Sequence, residues 1–252
     1  MFDHATIEKL RLLRLSGMAD ALEEIDQLDR NGKFTTNEIL NLAVDREWER
    51  RQNTKLSRLR KNARLAAPAA DVSDIKTLSG RKIDMEQVNR LAIGNYIISR
   101  RDVIIQGPTG SGKTYLACAL GNKAIQQFKT VTYLRAADLF DEFTIAERAG
   151  TRMQFLEKPI KVDLLIIDDW FLTPPSPEQV RQLHQLVDRR CQTASTIYCT
   201  QLPPSKWHDR MDEKILADAI IDRITANAVK ITLDATESLR RHFAQTEESQ
   251  EV

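Results

Sequence analysis

Cysteine is scarce in this chain. Cys118, Cys191 and Cys199 are the whole complement, an odd set without C-x-x-C spacing. That argues against a disulfide framework and a thiolate zinc site, and it fits a reducing compartment. No apolar run approaches the roughly 20 residues that a membrane helix needs. The start, Met1-Phe2-Asp3-His4, lacks the basic-then-apolar character of an export leader. A cytoplasmic protein with no membrane partner is therefore expected. Excess charge is missing too: the formal net charge is +1, so any nucleic-acid surface has to be local. Glycine is sparse, nine in 252 residues. Three of the nine, Gly107, Gly110 and Gly112, crowd into one short stretch.

What is present suits an ordinary globular chain. Hydrophobic residues make up 42% and charged ones 29%, enough for a core in one medium domain with an appendage or in two small domains. Near the start, Ile7, Leu10, Leu13, Met18, Leu22, Ile25 and Leu28 fall at helical spacing, and Gly17 is expected to divide them into two short helices. Asn31-Gly32 reads as a turn. Thr35 and Glu38 have capping-box spacing before a helix predicted from about residue 36 to about residue 65. Its second half is basic. Residues 46–64 hold Arg46, Arg50, Arg51, Lys55, Arg58, Arg60, Lys61 and Arg64 against Glu47 and Glu49, a local charge of eight minus two, +6. Ala66-Ala67-Pro68-Ala69-Ala70 reads as a linker, because proline discourages helix continuation. The expected division is a helical domain over 1–70, a second domain over 71–243 and an acidic tail over 244–252.

Beyond Pro68 the rhythm changes. Short apolar runs at 103–105, 131–134, 164–167, 196–199 and 229–233 alternate with amphipathic stretches of helical length. That alternation predicts an α/β fold, a parallel sheet flanked by helices. The first run leads into Gly107-Pro108-Thr109-Gly110-Ser111-Gly112-Lys113-Thr114, the G-x-x-x-x-G-K-[ST] pattern between a strand and a helix. Glycines let backbone N–H groups converge on phosphate oxygens, and the helix N-terminus adds partial positive charge. Lys113 can reach the β- and γ-phosphates, and the Thr114 hydroxyl can ligate Mg²⁺. The pattern predicts a P-loop that binds ATP with Mg²⁺. A second motif, Leu164-Leu165-Ile166-Ile167-Asp168-Asp169, is an apolar strand ending in two carboxylates. Phosphoryl transfer needs one carboxylate near the metal and a group that orients the attacking water. Asp168 suits the first role and Asp169 the second.

These motifs together resemble an AAA+ ATPase of the IstB/DnaC-like group within the initiator and loader clade, and more narrowly the IstB-like transposition helper ATPases. The resemblance runs from about residue 80 to 243. It is carried by GPTGSGKT, LLIIDDW, Cys199-Thr200-Gln201, the segment from Ala217 to Ile224, Glu237-Ser238-Leu239-Arg240, and Trp170 with Pro203-Pro204-Ser205-Lys206-Trp207. It implies that Thr200 is a sensor near the γ-phosphate, that Arg223 is an arginine finger reaching a neighbouring subunit's ATP, and that Arg240 is a second sensor, with Arg241 as its adjacent rival. It also implies a core without the full C-terminal helical lid. Two departures stand out. The acidic strand ends in Asp-Asp rather than Asp-Glu, which shortens the second acid by one methylene and predicts slow hydrolysis. After the last apolar run only residues 235–252 remain.

Nucleic-acid contact is expected in two places. One is the basic helix, through Arg50, Arg51, Lys55, Arg58 and Lys61. The other comes from the resemblance. An extra helix of the initiator clade, over Asp138 to Ala149, would bring Lys129, Arg135, Arg148 and Arg152 towards double-stranded DNA. An arginine finger in trans implies ATP-promoted self-assembly into a ring or helix. The expected function is an ATP-dependent, DNA-binding regulator of insertion-sequence transposition that assembles on target DNA and recruits or stimulates a transposase. The alternative is a helicase loader that shares the motor.

Overall fold

The computed structural model describes residues 2–28, 34–77 and 81–235. The chain divides into two compact units, Met1–Arg58 and Leu59–Val252. The division falls inside one long helix, α3, Thr36–Ala63, so residues 59–70, expected with the helical part, group with the second unit.

In the first unit, α1 (His4–Leu12) and α2 (Ser16–Leu28) precede α3. The Asp3 carboxylate caps α1 by accepting the Ala5 N–H at 3.3 Å. The capping box of α3 forms as the spacing predicts: Glu38 accepts the Thr35 N–H at 2.8 Å, and Thr35 Oγ1 accepts the Glu38 N–H at 3.3 Å. Ile7, Ala19, Ala21, Leu22 and Ala43 form the core. The break between the first two helices falls at 13–15, not at Gly17, which lies in the first turn of α2. The reason is a close approach from α3. A Cβ on Gly17 would stand 2.8 Å from Glu47 Cα, and the buried Glu47 carboxylate accepts the Gly17 N–H at 2.7 Å. Burial opposes the charge on Glu47, yet Arg51 and the Gly17 N–H outweigh it and hold its carboxyl below the usual range.

The second unit is built on a five-stranded parallel sheet. Its strands are β2 (Val103–Gln106), β3 (Val131–Arg135), β4 (Leu164–Asp168), β5 (Ser195–Thr200) and β6 (Val229–Thr232), in the order β3-β4-β5-β2-β6. All four pairings are parallel. β1 (Arg81–Lys82) and β7 (Asp234–Ala235) pair separately as an antiparallel ribbon. Each expected strand appears. β4 and β5 are buried along their whole length, which explains why they read as apolar runs and not as alternations.

The covering helices are α4 (Met85–Ala92), α5 (Asn95–Ile98), α6 (Lys113–Gln126), α7 (Ala136–Arg148), α8 (Arg152–Lys161), α9 (Pro177–Arg190) and α10 (Lys214–Thr225). The extra helix expected over Asp138–Ala149 is α7, and a second one, α8, follows a turn in which Gly150 adopts φ +67°. Leu139, Phe140, Phe143 and Leu156 from these helices join Trp170, Phe171, Tyr198 and Trp207 in one core. Burying each such side chain contributes about 1.5–3 kcal/mol. Arg190 is buried as well and donates to the carbonyl oxygens of Pro159, Ile160, Val162 and Ser195, tying α8 to β5.

The stretch expected to be a linker lies against α6. Leu65 and Ala70 are buried, and Asn122 Nδ2 donates to Pro68 O at 3.0 Å and Ala70 O at 2.8 Å. Among the described residues no helix is long and apolar enough to cross a membrane. The acidic tail over 244–252, Arg240 with its rival Arg241, and the expected lack of a lid fall outside the described residues.

Candidate nucleotide-binding site

β2 runs directly into the glycine-rich loop. Gly110 and Gly112 adopt φ +79° and +94°, a left-handed region in which a side chain is strained, and Gly112 precedes the first turn of α6. A Cβ on Gly107 would meet Leu233 O and Ser111 Oγ, each at 2.6 Å. The Gly107 N–H donates to Thr200 O at 3.1 Å, so the loop is anchored to the tip of β5. The Lys113 ammonium stays within the loop, donating to Gly107 O and Pro108 O at 2.9 Å each.

The acidic end of β4 faces this loop. Asp168 is 3% exposed. Its Oδ2 accepts from Thr114 Oγ1 at 2.7 Å and from the Tyr133 hydroxyl at 2.8 Å, and its Oδ1 accepts the Asp169 N–H at 2.9 Å. Burial and the neighbouring Asp168 charge push the Tyr133 phenol well above its ordinary range, so it remains a donor. Asp169 holds φ +55°, uncommon for a residue with a side chain. Arg135, at the tip of β3, places Nη2 3.5 Å from Asp169 Oδ2.

These groups open on a cavity of about 580 Å³, also lined by Ala66, Ala67, Tyr115 and Gln201. Its polar groups converge at the carboxyl ends of parallel strands, where open α/β sheets bind ligands. A phosphate tail matches the glycine loop and Lys113. Among the described residues no cluster of three or more His, Cys, Asp or Glu could hold a metal. Magnesium does not require one, since it commonly takes one or two protein oxygens, phosphate oxygens and waters. The hard oxygens of Thr114 and Asp168 fit that pattern.

Two other expected site residues, Thr200 and the trans-acting Arg223, do not line this cavity. Thr200 is fully buried: its hydroxyl faces Leu202 O at 3.0 Å and Trp170 O at 3.3 Å and accepts the Leu202 N–H at 3.1 Å. This local turn keeps the side chain out of the cavity, and Gln201 lines it instead. Arg223 also stands outside the cavity lining. It pairs with Asp188 at 3.0 Å and donates to Ala219 O at 3.1 Å. Arg135, expected on a DNA-facing surface, lines the nucleotide cavity. Of the other expected DNA contacts, Arg51 pairs with Glu47 at 2.6 Å and Arg152 with Glu147 at 3.5 Å. Arg50, Lys55, Arg58, Lys61 and Arg148 are exposed.

Tyr133, Arg135, Ala66 and Ala67 were not recognisable as lining residues from motif spacing. Tyr133 and Arg135 do carry a faint signal. They stand two apart at the end of the run before the acidic strand, so they share one face of a strand.

The family model described as IstB-like ATP binding protein matches residues 8–246. An insertion-sequence ATP-binding protein of Sinorhizobium fredii is 36% identical over 242 residues, covering 96% of this chain and 98% of the relative. The IS1162 ATP-binding protein of Pseudomonas fluorescens is 38% identical over 205 residues, covering 81% of this chain and 89% of its own length. Among solved structures, that of DnaI superposes with a TM-score of 0.57 at 20% identity, over 66% of this chain and 91% of that one, a likeness of fold.

Proposed function

We propose, for a chain that belongs to the IstB-like ATP-binding protein family, a DNA-coupled ATPase of insertion-sequence transposition that assembles on duplex DNA and recruits a transposase. The chain is an AAA+ P-loop ATPase. The coupling to DNA, the self-assembly and the transposase are the proposal. The observation that carries the chemistry is the convergence of Thr114 and Asp168 beside the glycine loop, 2.7 Å apart. Relatives named as insertion-sequence proteins support the biological setting.

Backbone N–H groups of the loop and the Lys113 ammonium hold the β- and γ-phosphates. Thr114 and Asp168 would hold Mg²⁺, which would supply neutralisation of charge on those phosphates. Asp169 orients a water and takes its proton as the water oxygen attacks the γ-phosphorus and the bond to the bridging oxygen breaks. The short aspartate reaches less far than a glutamate, which favours slow turnover. Gln201 takes the polar place at the cavity wall expected of Thr200. Arg223 serves a neighbour's site by exchanging Asp188 for that neighbour's γ-phosphate, which requires an assembly with head-to-tail contacts. Arg240, past the last described strand, completes the cationic set. Outside the nucleotide cavity, Arg50, Lys55, Arg58, Lys61 and Arg148 offer the exposed cations for DNA phosphates.

The test is phosphate release by wild type and Asp168→Asn with and without duplex DNA, followed by capture with a transposase or with a replicative helicase. DNA-stimulated release lost in the variant, with capture by the transposase, supports the reading. Release indifferent to DNA, or capture by the helicase alone, refutes it.

A further inference from the structure

A second concave site of about 350 Å³ lies in the larger unit, lined by Arg60, Lys61, Arg64, Leu65, Pro68 and Asn122. Its three cations are exposed. None of their side chains has a hydrogen-bond or ion-pair partner among the described residues. Several arginines elsewhere are paired, such as Arg46 with Glu24, Arg90 with Glu86, Arg181 with Glu178 and Arg223 with Asp188, whereas these three cations share one concavity with no acidic partner among its lining residues. Like charges gathered in a concavity repel one another, and the C-terminal dipole of α3 offsets this only in part.

Arg64 adds a second observation. It is the residue just past α3 and holds φ +52°. Glycine or asparagine ordinarily takes that position, because other side chains are strained there. Arg14 and Arg100 hold the same left-handed conformation, at φ +60° and +55°, so what sets Arg64 apart is that its exposed guanidinium lines the cationic concavity. The chain leaving Arg64 is firmly placed. Leu65 is buried, Ala66 and Ala67 line the nucleotide cavity, and Asn122 clamps Pro68 and Ala70. The cationic site and the nucleotide wall are thus consecutive in the chain.

We propose that Arg60, Lys61 and Arg64 seat backbone phosphates of a nucleic acid, and that Arg64–Ala67 transmits this contact to the nucleotide cavity. Planar guanidinium groups match phosphate oxygens in two-pronged fashion, and a concave floor of Leu65, Pro68 and Asn122 limits how the backbone approaches. Such coupling is reciprocal: if DNA tightens ATP, ATP tightens DNA by the same factor. The inference rests on the DNA-coupled reading above and assigns its regulation to named residues.

Duplex-DNA affinity is measured over a range of salt for wild type, Arg60→Gln/Lys61→Gln, Arg64→Gly and the charge-preserving Arg60→Lys/Lys61→Arg. ATP affinity is read with and without DNA. Glycine relieves the backbone while removing the guanidinium, and the doubly neutral variant decides alone if Arg64→Gly does not fold. The slope of log affinity against log salt should fall by about 0.9 for each cation removed, and the charge-preserving variant should keep it. Arg64→Gly should lose the tightening of ATP by DNA. Wild type that binds duplex DNA with unchanged slopes in both neutral variants overturns this inference and leaves the DNA reading standing. Wild type that binds no duplex overturns both. Binding to phosphatidylglycerol vesicles that depends on the three cations, with DNA binding indifferent to them, also overturns it.

Discussion

The Tyr133 hydroxyl donates to Asp168 Oδ2 at 2.8 Å, the same oxygen that accepts from Thr114. A phenol from β3 therefore holds the β4 carboxylate beside Thr114, the two groups that would hold a magnesium ion. Removing a partner of a metal ligand typically costs 10- to 100-fold in metal affinity. Tyr133→Phe should raise the Mg²⁺ concentration for half-maximal ATPase activity by about that 10- to 100-fold. A magnesium titration of wild type and variant checks this, and coincident curves refute it.

Asp169 is held differently. Its carboxylate is 31% exposed and its ionic partner, Arg135, is 57% exposed, which makes the pair a weak one. Strong removal effects must then come from chemistry and not from stability. Asp169→Asn should lower kcat by about 10²- to 10⁴-fold, the usual worth of a positioned acid or base, while ATP binding persists. Single-turnover kinetics beside equilibrium binding separate the two. Full activity in the variant would remove Asp169 from the mechanism.

A half-buried carboxylate away from the site makes stability depend on pH. Asp102 accepts the Thr196 N–H at 2.7 Å, and burial pushes its pKa up to about 7, against the smaller opposing effects of that bond and of Arg190. A carboxyl raised on folding binds more protons in the folded state. Its contribution is present at mildly acid pH and is lost as pH rises through about 7. The thermal midpoint of wild type should therefore fall between pH 5 and pH 8 by more than that of Asp102→Asn, which keeps the acceptor oxygen. Parallel pH profiles would show that Asp102 is ionised in both states.

The first unit depends on one missing side chain. A Cβ on Gly17 would stand 2.8 Å from Glu47 Cα and 3.0 Å from Arg46 O, both backbone atoms that cannot swing away. Gly17→Ala should destabilise this unit by about 1–3 kcal/mol, the usual cost of overpacking. Chemical denaturation followed by fluorescence of Trp48, which α3 carries in this unit, would measure it, and an unchanged midpoint would refute it.

The parts legible in the sequence and the parts hidden from it divide along physical lines. Gly107 to Thr114 and Asp168 were readable because phosphate binding demands particular residues at fixed spacing beside a strand. β2 to β5 were readable because burial on both faces makes each mostly an apolar run, and the edge strand β6 because Val229 and Ile231 alternate with the exposed Lys230 and Thr232. Gly17 misled, since a glycine required by a close approach from α3 looks the same as one that breaks a helix. Thr200 was legible only as a polar residue at a strand tip, because a hydroxyl there can serve its own turn as readily as a ligand, and here it bonds to Leu202. Ala66 and Ala67 were invisible, because their part in the cavity comes from tertiary packing on α6, where Asn122 holds Pro68 and Ala70.

The most direct test of a DNA-coupled ATPase is ATP-dependent assembly on duplex DNA, followed by light scattering for wild type, Lys113→Ala, Arg223→Ala and an equal mixture of the two variants. Wild type should form large complexes only with ATP and DNA together. Each variant alone should fail in ATP hydrolysis, and the mixture should recover part of it, because one subunit supplies the intact loop and its neighbour the arginine. Assembly by Lys113→Ala equal to wild type, or a mixture no more active than its separate components, would contradict the account.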